Sequence, residues 1–274
     1  MGLYRVFWVK WIMLQVLNCV AKVLRRKRRI AEICLVLDLE SLMRSTVEPI
    51  QVRKRPGFWL RLLSWIWPIP VHVAKGDSVS SLKVVAWRGK YLLDTEKVNY
   101  SFGSLHVVMQ GSIKAMVEKG VRTDRVLMLG YGGGSAAEII HQDYSRDAEI
   151  VGVELDGSVL ALAKSYFYTQ GVRLLQEDAV EYVHKAAKNA WQYDLVICDL
   201  FVDGQLAKGV VSTDFVESLS KVVALEGGAI VNTMMKPHAA QSLETMLRAS
   251  FTEVTPWTGV KGNTVFLCKI GGNA

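Results

Sequence analysis

The chain has 274 residues, of which 50% are hydrophobic, and this is enough to bury a large core in one domain or in one large and one small domain. The net charge of +7 is concentrated in Arg25-Arg-Lys-Arg-Arg29 and Arg53-Lys-Arg55, so a uniformly basic nucleic-acid-binding protein is not indicated. We expect no metal site and a reducing, cytoplasmic location, because no CxxC or Cys/His cluster is formed by the four cysteines, Cys19, Cys34, Cys198 and Cys268.

The first 24 residues are apolar with scattered bases, and five consecutive basic residues follow them. Their length and basic flank are typical of a membrane anchor. However, Lys10, Asn18 and Lys22 fall on one helical face, which favours an interfacial or core-packing amphipathic helix. A third interpretation is that this leader is not part of the working protein. Weak membrane association through residues 1–24 therefore stays open beside the cytoplasmic location.

A second aromatic, apolar segment covers residues 58–70. We predict a short helix that is ended by Pro68 and packs on the core, with an interfacial patch as the alternative. Residues 82–94 then predict two short strands around a turn at Arg88-Gly89. These changes in composition and in predicted secondary structure predict an N-terminal extension (1–79), a small β unit (80–102) and a main domain (103–274).

The main domain alternates predicted strands and helices. We predict strands at 125–129, 149–154, 172–176, 193–200 and 228–234, and helices at 135–141, 158–168, 179–188, 213–224 and 238–250. The chain closes with strands at 254–258 and 264–270, which predict an antiparallel hairpin at the sheet edge. This order predicts an α/β, Rossmann-like fold with a mostly parallel sheet and helices on both faces.

The first two strands of this domain end in residues that suit a nucleoside. A glycine-rich turn, Gly130-Tyr-Gly-Gly-Gly134, follows the first strand and spaces Gly130, Gly132 and Gly134 at alternate positions. Glu154 ends the second strand, where a carboxylate can accept hydrogen bonds from both ribose hydroxyls. We therefore predict a cofactor site at this edge of the sheet, and we interpret Asp156 as an acid at the start of the next helix.

Acids also follow the third and fourth strands. Asp178 can accept from an adenine amino group while the backbone of Ala179 meets the ring, although Asp178 also suits a helix N-cap. Asp199 and Asp203 lie where the reactive end of a cofactor would sit, and a carboxylate there can hold or deprotonate an amine. The Asp–Ala pair and the closing hairpin argue against a nicotinamide dinucleotide.

Together these segments resemble the spermidine synthase-like (polyamine aminopropyltransferase) branch of the class I S-adenosylmethionine-dependent methyltransferase superfamily, from about residue 80 onward. The small β unit is part of the resemblance, because plain methyltransferases usually lack it. The segments that carry the resemblance are Asn99-Tyr-Ser-Phe-Gly-Ser-Leu-His106, Leu129-Gly-Tyr-Gly-Gly-Gly-Ser135, Val153-Glu-Leu-Asp156, Glu177-Asp-Ala179, Tyr193-Asp-Leu-Val-Ile-Cys-Asp199 and Glu226-Gly-Gly228.

The resemblance implies transfer of an aminopropyl group from decarboxylated S-adenosylmethionine to an amine, by a protein that forms a homodimer. It implies that Asp199 orients and deprotonates the amine and that Tyr100 assists. Asn99 stands where the family often has a Gln that contacts the nucleoside, and His106 stands where the family often has a His at the start of a helix. We place Asp203 and His106 in the substrate-binding part of the site.

Two departures from the family pattern concern the acceptor. Gly133 occupies the loop position where the synthases have Asp, and Asp203 follows Asp199 by four residues instead of three, with Gly204 in place of Pro. A pocket that grips a diamine at both ends is therefore incomplete. We expect an aminopropyltransferase-like enzyme that uses S-adenosylmethionine or its decarboxylated form and a small amine. The alternatives are a methyltransferase with another small acceptor and a non-catalytic nucleoside-binding scaffold.

Overall fold

A seven-stranded, mostly parallel β-sheet forms the centre of the fold. The computed structural model describes residues 55–76, 81–95, 104–202, 205–207, 209–233, 240–257 and 264–271. The strands are β1 (Ile69–Ala74), β2 (Leu82–Trp87), β3 (Lys90–Thr95), β4 (Arg125–Leu129), β5 (Glu149–Glu154), β6 (Val172–Gln176), β7 (Tyr193–Cys198), β8 (Phe201–Val202), β9 (Gln205–Leu206), β10 (Val223–Asn232), β11 (Glu253–Trp257) and β12 (Val265–Lys269). The helices are α1 (Phe58–Leu63), α2 (Ser104–Glu118), α3 (Ser135–Ile139), α4 (Gly157–Tyr166), α5 (Ala179–Lys188), α6 (Thr213–Val222) and α7 (Gln241–Ser250).

The large sheet has the strand order β6-β5-β4-β7-β10-β12-β11. The strands from β6 to β10 are parallel, and β12 pairs antiparallel with both β10 and β11. The predicted α/β class, parallel sheet and closing antiparallel pair are therefore confirmed. The order reverses between β4 and β7, and in open α/β sheets ligands bind beyond the carboxyl ends of the strands at this switch point.

Two apolar layers cover the two faces of this sheet. Successive side chains of a strand point to opposite faces, so Leu127 and Leu129 of β4 pack with α5, α6 and α7, while Val126 and Met128 pack with α2 and α3. All six residues of β7 are buried, as expected for a central parallel strand. Cys198 and Cys268 are buried, form no disulfide and pack as small residues of the core.

The small sheet has three strands in the order β1-β2-β3, all antiparallel. The predicted hairpin around Arg88-Gly89 is confirmed. The predicted boundary at residue 80 assigned β1 to the N-terminal extension, whereas the structure pairs β1 with β2. Leu82, Val84 and Leu93 of this sheet pack against α4, and residues 51–274 form one compact unit.

The segment around α1 differs from its prediction. The helix ends at Leu63, before Pro68, and none of its residues is buried, so the predicted packing of this segment on the core is wrong. Pro56 and Ser64 are buried and Leu60 is half-buried, so only a narrow stripe with a spacing of four residues faces the protein. The apolar side chains outside this stripe are left in contact with solvent.

Three further points concern helices. Helix α2 was expected only as a helix that starts near His106, with no bounds given. The predicted helix at 135–141 becomes α3 followed by a π-helical turn over Ile140–Tyr144. Within the described ranges, no helix is both long enough and apolar enough to cross a membrane. Residues 1–24, for which weak membrane association was predicted, lie outside the described residues.

Candidate functional site

The glycine loop lies against the start of the segment that carries Asp199. Gly130 has a φ of +82°, and a Cβ at this position would lie 2.3 Å from the backbone oxygen of Asp199. The Asp199 N–H donates to the carbonyl of Leu129 at 2.9 Å. Only glycine permits both this backbone conformation and this close approach. Gly130 therefore brings the loop and Asp199 together at the switch point between β4 and β7.

A buried tyrosine supports the other end of the loop. Tyr131 is only 3% exposed, and its hydroxyl donates to the carbonyl of Tyr168. A Cβ on Gly134, whose φ is +67°, would lie 2.4 Å from the Tyr131 hydroxyl, and a Cβ on Gly152 would lie 2.5 Å from the Tyr131 ring. The side chain of Tyr131 therefore packs directly against Gly134 and Gly152, where any larger residue would clash with it, and this contact fixes the loop.

Glu154 reaches from the end of β5 to the loop. Its Oε2 accepts from the backbone N–H of Gly132 at 3.0 Å, and its Oε1 accepts from the N–H of Asp156 at 3.2 Å. Burial raises the pKa of Glu154, and these backbone N–H donors oppose that rise by favouring the ionised form. The half-buried carboxylate thus lies beside the loop, as its predicted cofactor-binding role requires. The role itself stays a prediction.

Two other predicted acids begin helices. The Oδ1 of Asp156 accepts from the N–H groups of Ser158 and Val159 at the start of α4, which confirms its interpretation as a helix-start acid. The Oδ1 of Asp178 accepts from the N–H groups of Val180 and Glu181 at 2.7 and 3.1 Å. Asp178 is therefore an N-cap, and both capping bonds use Oδ1. Contact of Asp178 and Ala179 with an adenine stays a prediction.

Asp199 directly follows β7 and is paired with an amide from the neighbouring strand. Its Oδ1 accepts from Nδ2 of Asn232 at 2.8 Å, and Asn232 is fully buried at the end of β10. Burial raises the pKa of Asp199 to about 6, the Asn232 hydrogen bond opposes the rise, and the charge of Glu154 adds to it. The half-buried Asp199 carboxyl therefore has a pKa closer to neutral pH than an ordinary aspartate has, as general bases often do.

Asn232 is the residue that sequence reasoning missed. It ends the apolar run Gly228-Ala-Ile-Val-Asn232, and β10 is the neighbour of β7 in the sheet. A polar residue at the carboxyl end of a buried parallel strand was the available signal, because such positions line the ligand crevice. Its hydrogen bond to Oδ1 fixes the orientation of the Asp199 carboxyl group.

Of the remaining predicted site residues, the structure describes only His106. His106 lies in the first turn of α2, and its Nδ1 is 2.9 Å from Oγ of Ser135, which opens α3 directly after the glycine loop. This bond ties α2 to the loop, and the substrate-binding role of His106 stays a prediction. Asn99, Tyr100 and Asp203 lie outside the described residues. In the described part of the chain, no three His, Cys, Asp or Glu side chains are grouped so as to hold a metal.

Alanine at Gly130 is expected to destabilise the protein by at least about 3 kcal/mol, through left-handed strain and a backbone clash. Gly120→Ala is the matched control, because Gly120 has a φ of +84° and no atom lies within 4 Å of the position that a Cβ would take there. That variant should lose only about 1 kcal/mol. Urea denaturation of both variants measures the difference, and equal losses would contradict the close approach of the loop to Asp199.

The family comparison gives a match over more than half of the chain. The model of the spermine/spermidine synthase domain matches residues 109–260 of the 274 residues. A comparison with curated proteins gave no significant match.

Solved structures with a similar fold come from bacteria and from human. A probable spermidine synthase from Corynebacterium glutamicum aligns with a TM-score of 0.58 and 16% identity over 73% of this chain and 80% of its own. Spermidine synthase from Thermotoga maritima aligns with a TM-score of 0.51 and 16% identity over 73% of this chain and 72% of its own. Human methyltransferase-like protein 13, solved with SAH, aligns with a TM-score of 0.53 and 20% identity over 62% of this chain and 83% of its own.

At 16% to 20% identity, these solved structures show a shared fold. The family to which the chain belongs is shown by the match to the family model. The resemblance expected from the glycine loop, Glu154 and Asp199 is confirmed at the level of the family. The chain therefore belongs to the spermine/spermidine synthase family and is a transferase with the Rossmann-like fold of class I methyltransferases.

Proposed function

We propose that this protein transfers an aminopropyl group from decarboxylated S-adenosylmethionine to a small amine. The observation that carries the proposal is Asp199, a half-buried carboxyl with a raised pKa at the switch point of the sheet. It is oriented by Asn232 and lies against the glycine loop. A carboxyl in this position can accept a proton from an ammonium group near neutral pH.

The positions of the glycine loop and Glu154 favour the binding of an adenosyl group beside Asp199. Because Glu154 already receives the Gly132 N–H on one oxygen, its carboxylate is fixed in place before a ribose arrives. Preorganised acceptors of this kind bind vicinal hydroxyls without further ordering. The loop follows β4 directly, so the sulfonium end of the same molecule would extend toward β7 and Asp199.

The reaction requires an uncharged amine. The acceptor ammonium loses its proton to the Asp199 carboxylate, and the nitrogen lone pair attacks the aminopropyl carbon that is bonded to the sulfonium sulfur. The carbon–sulfur bond breaks, and its electron pair stays on sulfur, which leaves a neutral thioether. A carboxyl with a pKa of about 6 is ionised above that pH and can therefore act as the base.

A second candidate function is methyl transfer from S-adenosylmethionine itself. It is favoured by Gly133, which stands in the loop where the family has an acid. A Cβ on Gly133 would lie 3.5 Å from the ring of Phe167, so an apolar side chain borders this part of the loop. A pocket with one acid fewer grips a diamine less well and accepts a less charged acceptor more readily.

Turnover with each co-substrate separates the two functions. We expect the full-length protein to convert decarboxylated S-adenosylmethionine and putrescine, or a related amine, into an aminopropylated amine and methylthioadenosine, detected by mass spectrometry. Asp199→Asn is the matched control, because its side chain cannot accept the proton. Methyl transfer from S-adenosylmethionine without aminopropyl transfer to any amine would reject the first proposal and support the second. Binding of either co-substrate without turnover would support a scaffold.

A further inference from the structure

Helix α1 and the turn after it expose a continuous set of large apolar side chains. We call this set the aromatic patch. Its members are between 51% and 78% exposed, and they are Phe58, Trp59, Leu62, Leu63, Trp65, Ile66 and Trp67. Single exposed apolar residues are common on soluble proteins, but a contiguous group with three tryptophans marks an interaction surface.

The aromatic patch is held firmly on the small sheet. Ser64 is fully buried, its Oγ accepts from the N–H of Gly89 at 2.9 Å, and its carbonyl accepts from the N–H of Arg88 at 2.9 Å. These bonds tie the end of α1 to the turn between β2 and β3. The exposure of the patch is therefore a property of a fixed element with its apolar side turned outward.

The segment that carries the aromatic patch has charged side chains of one sign only. Residues 55–76 contain no Asp or Glu, and Arg55, Arg61 and Arg88 are exposed beside the patch. The guanidinium of Arg88 lies over the ring of Trp87 at 5.4 Å. Aromatic residues flanked by basic ones are the composition of segments that lie at the surface of an anionic bilayer, with rings at headgroup level and cations on the lipid phosphates.

We propose that the aromatic patch docks the protein on an anionic membrane surface. Helix α1 has six residues, so it lies in the interface and does not span it. The charge argues for lipid over a second copy of the chain, because two like-charged patches would repel each other across a dimer interface. This inference is independent of the proposed transfer reaction.

Vesicle binding of the full-length protein tests the docking. The probes are vesicles of phosphatidylcholine alone or with about 30 mol% phosphatidylserine, and deuterium exchange reports which peptides become protected. We expect binding only to the anionic vesicles, protection of the peptide that covers residues 58–67, and weaker binding at high salt. Binding without protection of that peptide would overturn the proposal and point to another segment.

Matched double variants make the test specific. Trp65→Ser with Trp67→Ser should weaken vesicle binding by about tenfold or more. The control, Trp191→Ser with Leu225→Ser, removes two exposed apolar side chains (42% and 68% exposed) elsewhere and should bind as the wild type does. Equal binding of both double variants would overturn the proposal. So would a dimer in lipid-free solution that only the patch variant converts into a monomer, since that result makes the patch a contact between copies.

Discussion

Replacing Asp199 with Asn is expected to lower turnover by about 10²- to 10⁴-fold while making the fold more stable. The amide keeps an oxygen that can accept from Asn232, so the geometry around Oδ1 is preserved. It cannot accept a proton from an ammonium group at neutral pH. The loss of rate therefore measures the contribution of proton acceptance by Asp199. The gain in stability measures the free energy that the wild-type protein loses by holding an ionised carboxylate in this half-buried position.

The sign of the stability change follows from the pKa of Asp199. Burial raises this pKa from 3.8 to about 6, so the folded state holds its proton more tightly than the unfolded state does. Above pH 6 the wild-type protein carries a partly desolvated charge that Asn lacks, which destabilises it by at most about 3 kcal/mol. Well below pH 3.8 the Asp199 side chain is neutral in both the folded and the unfolded state, so the difference vanishes. The stabilisation by Asn therefore grows between pH 4 and 6 and is constant above.

Urea denaturation from pH 4 to 8 measures this difference, and a pH profile of kcat/KM for the wild type should fall as the pH falls through about 6. Asp194→Asn is the control on the same strand. Asp194 is 6% exposed and accepts from the backbone N–H and the guanidinium of Arg125 at 2.9 and 3.0 Å. That substitution removes a charge-assisted pair and should destabilise the protein. A destabilised Asp199→Asn variant at pH 8 would contradict the raised pKa.

The parts of the fold that the sequence predicts well are those fixed by local pattern. The runs that became β4 and β7 are apolar, end in Gly130 and Asp199, and alternate with helical segments, so a parallel sheet is the natural outcome. The strand–loop–helix context then places the glycine loop directly after β4 and Glu154 at the end of β5, as the structure has them. Few topologies are compatible with this order of elements, because crossover connections between parallel strands are almost always right-handed.

Features that depend on partners far along the chain were missed. Strand β1 contains Pro70, directly follows Pro68 and has no buried residue, so only its pairing with β2 makes it a strand. The exposure of α1 depends on Ser64 bonding to a turn 25 residues away, which no local periodicity reveals. Asn232 meets Asp199 only because β10 pairs with β7, 33 residues earlier. Sheet order is a tertiary property, so these contacts needed the structure.

Removal of the Glu154 charge is expected to weaken adenosyl binding by about 100-fold. A carboxylate that receives two ribose hydroxyls contributes about 1.5 to 3 kcal/mol per charge-assisted bond, and the amide in Glu154→Gln keeps only part of that. One oxygen also holds the Gly132 N–H, so the same substitution loosens the loop against β5. Calorimetric titration with S-adenosylmethionine, its decarboxylated form and methylthioadenosine measures the affinity of the adenosyl part separately from the sulfonium.

The matched control for Glu154 is Glu177→Gln, which neutralises the acid at the end of the next strand. Glu177 pairs with Lys185 at 2.7 Å, and this half-exposed pair contributes little, so its loss should leave affinity within about twofold. Because all three ligands share the ribose, Glu154→Gln should weaken each of them by a similar factor. A selective loss for the sulfonium compounds would mean that Glu154 acts on the charge of the ligand, and the ribose would then have to be held by another group.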